Sequence, residues 1–165
     1  MEVKLGKDKI LAFRKLKEAG TKKAAKLAFQ VEHTLNYERS NDSTMTKDGA
    51  VINPGGLEST LEISALASND PLNRLLMESV IDGDKLEIWE IDLSNPVNEE
   101  TNEYNALYMR GNLNSWALPA PTEGPVEIDT TADIDGKPQE GTVIFTADQM
   151  DEVQYAFRDL GIVAG

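Results

Sequence analysis

The residues able to do chemistry are few in kind. The chain has 165 residues with one histidine, His33, and no cysteine, so disulfides, thiolate metal sites and thiol nucleophiles are excluded. Acyl-transfer chemistry of the serine-hydrolase type needs a nucleophile, a base and an orienting group. His33 lies in H-T-L-N-Y-E-R (His33 to Arg39), which alternates like a strand, so a structural histidine is expected there. Carboxylates are plentiful, but no two are marked as the matched acid and base of a glycosidase. Thr131 to Thr142 carries Asp133, Asp135 and Gly136 in the manner of a calcium loop, yet threonine stands where the first and twelfth positions require Asp and Glu. Gly55-Gly56 leads into a strand and not a helix, so it is no phosphate cradle. No cofactor and no catalytic site are expected. Trp89 and Trp116 are the one platform candidate, and they suggest an alternative reading, a β-sandwich carbohydrate-binding or adhesin module.

Charge is the stronger signal. The net charge is −13, which argues against a general nucleic-acid binder. It is unevenly spread: residues 1–30 hold nine of the sixteen basic residues against three acidic ones, a net of +6, which leaves −19 on the remainder. A basic arm for nucleic acid is one interpretation. Complementary faces on successive copies of the chain is the preferred one, because no aromatic residues interleave with the lysines.

The most informative stretch is Val126 to Ile134, V-E-I-D-T-T-A-D-I. Val126, Ile128, Ala132 and Ile134 alternate with Glu127, Asp129, Thr131 and Asp133, which predicts a strand with one core face and one acidic face. That acidic face is either simply solvated or a wall that must not adhere to a polyanion. Asp135-Gly136 follows and predicts a hairpin into T-V-I-F (Thr142 to Phe145).

Other elements must position this strand. Residues 10–30 fit either one helix by propensity or a hairpin around Glu18 to Thr21. Ser40 to Gly56, rich in Ser, Thr, Asn, Asp, Gly and Pro, predicts a long flexible loop at 40–56, either a binding element or a disordered segment. Leu57 to Ala67 alternates as a half-buried strand. Asp70-Pro71 starts a helix whose stripe is Leu72, Leu75, Leu76 and Val80, stopped by Gly83. K-L-E-I-W-E-I-D-L (Lys85 to Leu93) changes phase, so either both its faces are covered or a bulge lies near Trp89. Tyr104 to Leu118 resumes strand character, with a break at Gly111-Asn112. Thr146 and Gln149 fit a capping box before Met150, Val153, Phe157 and Leu160. Seven or eight strands with one or two short helices predict a mainly β domain over 1–165, a β-sandwich or open barrel with a flanking α-helix. No segment approaches a membrane span, and a soluble cytoplasmic product is expected.

The chain resembles the major tail protein, or tail tube protein, of long-tailed phages of Gram-positive bacteria. The resemblance runs nearly end to end. It is carried by G-K-D-K-I-L-A-F-R (Gly6 to Arg14), L-A-F-Q-V-E-H-T-L-N-Y-E-R (Leu27 to Arg39), D-S-T-M-T-K-D-G (Asp42 to Gly49), Lys85 to Leu93, and E-I-D-T-T-A-D-I-D-G-K-P (Glu127 to Pro138). It implies a fold like the type VI secretion tube protein and a hairpin at 10–30. It also implies a structural virion role: hexameric rings, assembled in the host cytoplasm, that stack into a tail tube around a tape-measure protein. Terminator and baseplate proteins would be further partners, and viral DNA would pass through without specific binding. The implied inter-ring element carries Asp42, Ser43, Thr44, Thr46, Lys47 and Asp48. The implied acidic bore is matched here to Glu127, Asp129 and Asp133.

Overall fold

The structure, a computed structural model, describes residues 3–144. Eight strands and one helix follow in order: β1 (Lys9–Lys15), β2 (Ala25–Lys26), β3 (Gln30–Thr46), β4 (Gly49–Leu66), α1 (Pro71–Asp82), β5 (Leu86–Asn98), β6 (Glu103–Ala117), β7 (Glu127–Ile134) and β8 (Gln139–Ile144). They form one antiparallel sheet in the order β2-β1-β5-β6-β7-β4-β3, with β8 also on β6. The sheet curls so that its far ends meet. The Gln30 side-chain amide accepts from Leu11 N–H and donates to Leu11 and Leu27 carbonyls at 2.8–2.9 Å, standing in for a peptide group between β3 and β1. The result is a partly open barrel, within the expected fold class.

The core follows from alternation. Leu11 and Phe13 of β1, Leu61 and Ile63 of β4, Leu86 and Ile88 of β5, Met109 and Leu113 of β6, and Ile128 and Ala132 of β7 all point inward and are buried. Burial of this kind is worth about 25 cal/mol per Å2 of apolar surface. Helix α1 lies against β6 and adds Leu72 and Leu76 to the same core. Its start is fixed by Asp70, whose carboxylate accepts from Leu72 N–H at 3.0 Å, and Gly83 ends it in the left-handed conformation. The expected stripe is recovered, with Asn73 and Ser79 buried beside it; Ser79 donates to the Leu76 carbonyl at 2.6 Å.

The phase change in β5 is a strand covered on both faces. Leu86 and Ile88 enter the main core, while Ile91 joins Ala12 and Ala106 in a second cluster with Trp89, Leu93 and Tyr104 packed around it. Pairing with β6 is unbroken from Leu86 to Ile91, so no bulge sits at Trp89. Residues 10–30 contain the hairpin, β1 with β2, although β2 is only two residues long.

Three expectations are corrected. Gly111-Asn112 does not interrupt β6. Gly111 is there because a Cβ would stand 2.2 Å from the Asp133 carbonyl, so only a hydrogen lets β6 and β7 approach. Asp135-Gly136 does not make a hairpin. β7 pairs with residues 111–117 of β6 and β8 continues along the same edge onto residues 103–108, so the dipeptide is a jog within one line of pairing. Asp135 N–H bonds to the Arg110 carbonyl at the jog, and the Asp135 carboxylate pairs with Lys85, contacts that hold the chain on course.

The third correction concerns residues 40–56, which are not an irregular loop. Asn41↔Pro54 through Thr46↔Gly49 are paired, so β3 and β4 run on past the barrel as a two-stranded arm. All of residues 40–54 are exposed. Six paired residues on each strand at about 3.3 Å each give a projection of roughly 20 Å. A bulge between Arg39 and Asn41 marks its base, where Gly55 passes so close that a Cβ would meet Ser40 O at 2.0 Å. The predicted capping box and helix from Thr146 to Leu160 lie outside the described residues.

Candidate functional site: an acidic sheet face and a projecting arm

Strand β7 alternates as its sequence requires. Ile128, Thr130, Ala132 and Ile134 are buried, and Glu127, Asp129 and Asp133 are exposed on the other side. Register places more acid beside them. Asp133 is opposite Thr60, Thr131 opposite Glu62 and Asp129 opposite Ser64; across the next ladder Glu62 is opposite Thr34 and Glu58 opposite Glu38. Glu58 and Glu62 of β4 therefore share the face of the β7 carboxylates, as do Glu32 and Glu38 of β3. Seven exposed carboxylates thus line one continuous surface. No Lys or Arg of β3, β4 or β7 shares it, since Arg39 pairs with Leu57 on the opposite parity.

The partners of these carboxylates are neutral. Ser64 donates to Asp129 at 3.1 Å, Asn114 donates to Asp133 at 3.1 Å, and Asn36 reaches Glu62 at 3.4 Å. Such bonds orient the carboxylates and leave the charge uncompensated. On the β1 and β5 side of the sheet several acids do meet bases. Arg14 donates to Glu87 at 2.8 Å, and Lys15 and Lys17 both reach Asp84, which they hold below the usual carboxylate range, chiefly through the Lys17 hydrogen bond. Repulsion between unpaired like charges costs stability, so seven of them on one surface without a neutralising base is a local cost.

The six arm residues proposed from sequence are brought together. Asp42, Ser43, Thr44 and Thr46 lie on the outer length of β3, with Lys47 and Asp48 in the turn. Thr46 Oγ1 accepts from Asp48 N–H at 3.2 Å and donates to Gly49 O at 2.7 Å, closing the tip; Asn53 donates to Thr44 Oγ1 at 2.8 Å across the ladder. Sequence reasoning missed the apolar members. Met45 and Ile52 are exposed on the arm, and the signal that could have found them is T-M-T and A-V-I, β-propensity embedded in turn-rich composition.

No catalytic arrangement is present among the described residues. His33 Nε2 is 2.8 Å from Glu90 Oε2, with Lys9 near Glu90 and Asp92, so the imidazole bridges β3 to β5 as a structural group. The groove beside it, about 1160 Å3, is wide open and lined by mixed charges and small polar groups. No cluster of metal-ligating side chains occurs among the described residues. The tryptophans do not form a sugar platform. Arg14 covers the Trp89 ring at 5.1 Å and Tyr108 tilts against it, while Trp116 packs on the main core.

The His33–Glu90 pair carries a pH signature. The His33 hydrogen bond, aided by Lys9 and opposed by burial, holds the Glu90 carboxyl below its usual value. A depressed carboxyl adds stability that is present above its unfolded value, about 4.3, and is lost as pH falls through the folded one. Glu90→Gln is therefore expected to lower stability by about 2 kcal/mol at pH 7. The gap should close below about pH 4. Thermal melts of both proteins from pH 3 to 7 check this.

The described chain is thus a small antiparallel barrel with one acidic face and a two-stranded arm projecting from it. The chain belongs to the phage tail tube protein family, whose model matches residues 3–140. It is 30% identical over 142 residues to a putative tail protein of Staphylococcus phage phiMR25, covering 84% of this chain and 72% of that one. Its fold is similar to that of the SPP1 tail tube protein, with a TM-score of 0.73 at 18% identity, over 98% of this chain and 87% of that one. It is also similar to the tail of a gene transfer agent particle solved with C6 symmetry, with a TM-score of 0.65 at 10% identity over 84% and 99%. The chain is thus a structural component of a phage tail, and among the described residues no helix is long and apolar enough to cross a membrane.

Proposed function

We propose that six copies close into a ring, that rings stack into the tail tube, and that Glu127, Asp129 and Asp133 with the other carboxylates of that face line its bore. The observation that carries this reading is the acidic wall whose partners are hydroxyls and amides. DNA gains affinity for a protein by exchanging condensed counterions for Lys and Arg. A bore without those residues offers no such exchange, so ejected DNA slides. The six-fold symmetry used for the gene transfer agent tail supports the ring size. The arm, with Asp42 to Asp48 at its end, is the element that reaches the next ring. A polar hairpin standing off the body is marginal alone and gains its order on contact, so the free subunit stays soluble.

In this reading the protein has no enzymatic activity and no cofactor. It meets a tape-measure protein inside the tube and terminator and baseplate proteins at its ends, and it assembles in the host cytoplasm. Negative-stain microscopy of concentrated protein tests the proposal: rings or hollow tubes about a hundred ångströms wide are expected from the family resemblance. Monodisperse monomer at every concentration, in the presence of tail initiator proteins too, would refute it.

A further inference from the structure

Strands β1, β5, β6 and β8 turn a second apolar face away from the main core. Ladder partners set it out in rows. The middle row, Ile91–Ala106–Gly141, is low because two of its members are small; Trp89–Tyr108 stand on one side of it and Tyr104–Val143 on the other. A trough between bulky walls is a seat that fits a helix lying on a sheet. Among the described residues no α-helix occupies it, since α1 gives Leu72 and Leu76 to the main core. The described chain ends beside this trough, at Ile144, with residues 145–165 beyond it. Their sequence opens F-T-A-D-Q-M. Thr146 and Gln149 make the capping box, and Phe145 and Met150 stand at the two positions of a hydrophobic staple. At helical spacing Met150, Val153, Phe157 and Leu160 fall on one side and Asp148, Asp151 and Glu152 on the other.

We infer that residues 147–160 form a helix that folds back over β8 and seats its Met150–Leu160 stripe in the trough of its own subunit. The contact goes beyond the tube reading, because it belongs to the single chain and stands whether or not rings form. Three observations point to this occupant. The link is short: Phe145 and the capping Thr146 are all that separate β8 from the helix, and connections of about two residues return a helix onto the sheet it leaves. The lengths agree. The stripe runs about 15 Å from Met150 to Leu160 at 1.5 Å per residue. The two walls of the trough, four residues apart on β6, stand about 13 Å from one another. The chemistry selects the side. On its other side β8 presents Glu140 to the open groove that Glu90 and Asp92 also line, and there an acidic helix with an apolar stripe would meet like charge and no apolar seat. Val143, by contrast, already packs in the apolar cluster. Among the described strands β8 pairs with β6 alone, so the helix clamps a singly held strand and covers apolar surface that would otherwise adhere to other copies.

Trp89 lies in the trough wall and reports the contact once Trp116, the other tryptophan, is removed. The full chain carrying Trp116→Phe is diluted until it is a single subunit. Adding Phe157→Asp should raise acrylamide quenching of Trp89 about twofold and shift its emission to the red, because the ring loses its apolar cover. Tyr155→Asp, which puts the same charge on the opposite side of the helix, should change neither. The absence of cysteine allows a second readout. Ala106→Cys with Val153→Cys, and separately Tyr104→Cys with Met150→Cys, should oxidise to a disulfide within one chain, seen as a faster monomer band on a non-reducing gel. The seat is supported by an intrachain disulfide from either pair, or by the Phe157-specific rise in quenching where neither pair forms a bond. Bonds only between chains place the stripe on a neighbour, and equal quenching in all three proteins with no bond leaves the trough empty; either result overturns the inference. Both readouts are taken on the free subunit, so a failure to form tubes bears on the tube reading and not on this one.

Discussion

Replacing Asn41–Pro54 with Asn-Gly should abolish tube growth while leaving a folded subunit. The arm contributes no buried residue, since 40–54 are exposed throughout, and the ladder from Arg39↔Leu57 inward is untouched. Asn-Gly suits the tight turn that would rejoin the shortened strands. The melting temperature should stay within about 3 °C of wild type, because surface changes away from core features are usually within ±0.5 kcal/mol. Tube mass at a concentration where wild type polymerises fully should fall at least about 100-fold, equivalent to losing roughly 3 kcal/mol per axial contact. Light scattering with negative-stain microscopy reads this. Normal tubes from the shortened protein would mean the arm is not the axial joint.

The second large effect concerns the wall. The triple variant Glu127→Lys, Asp129→Lys, Asp133→Lys changes three exposed side chains and moves the net charge from −13 to −7. None of the three is buried, so folding should persist. If these residues line the bore, open-ended tubes of the variant should bind short DNA duplexes, whereas wild-type tubes should not. With about three new phosphate contacts per subunit, affinity should drop roughly 40-fold between 50 and 200 mM salt. Fluorescence anisotropy of labelled duplex measures both. Variant tubes as indifferent to DNA as wild type would place the face away from the passage.

How much of this was legible in the sequence varies by element. α1 was readable to the residue because its signals are local: an Asp70 cap, Pro71, a stripe at helical spacing and Gly83. β7 was readable because one face is buried, which forces strict alternation. The arm was hidden for the opposite reason. With both faces in solvent there is no pattern of period two, and Ser, Asn, Asp, Gly and Pro speak for a loop. The jog at Asp135-Gly136 was also hidden, since a dipeptide that favours hairpins was overruled by a long β6 offering the same edge to β7 and then β8. The acidic face was half legible. Individual strands betrayed their carboxylates, but only register joined Glu58, Glu62 and the β7 acids into one wall.

The location of that wall is the measurement that bears hardest on the whole account. A helical reconstruction of assembled tubes by electron cryomicroscopy, at a resolution that traces β3, β4 and β7, would decide it. The account predicts Glu127, Asp129 and Asp133 pointing to the central axis with Glu58 and Glu62 beside them. A tube in which these carboxylates point outward, or are buried against lysines of a neighbouring subunit, would contradict it.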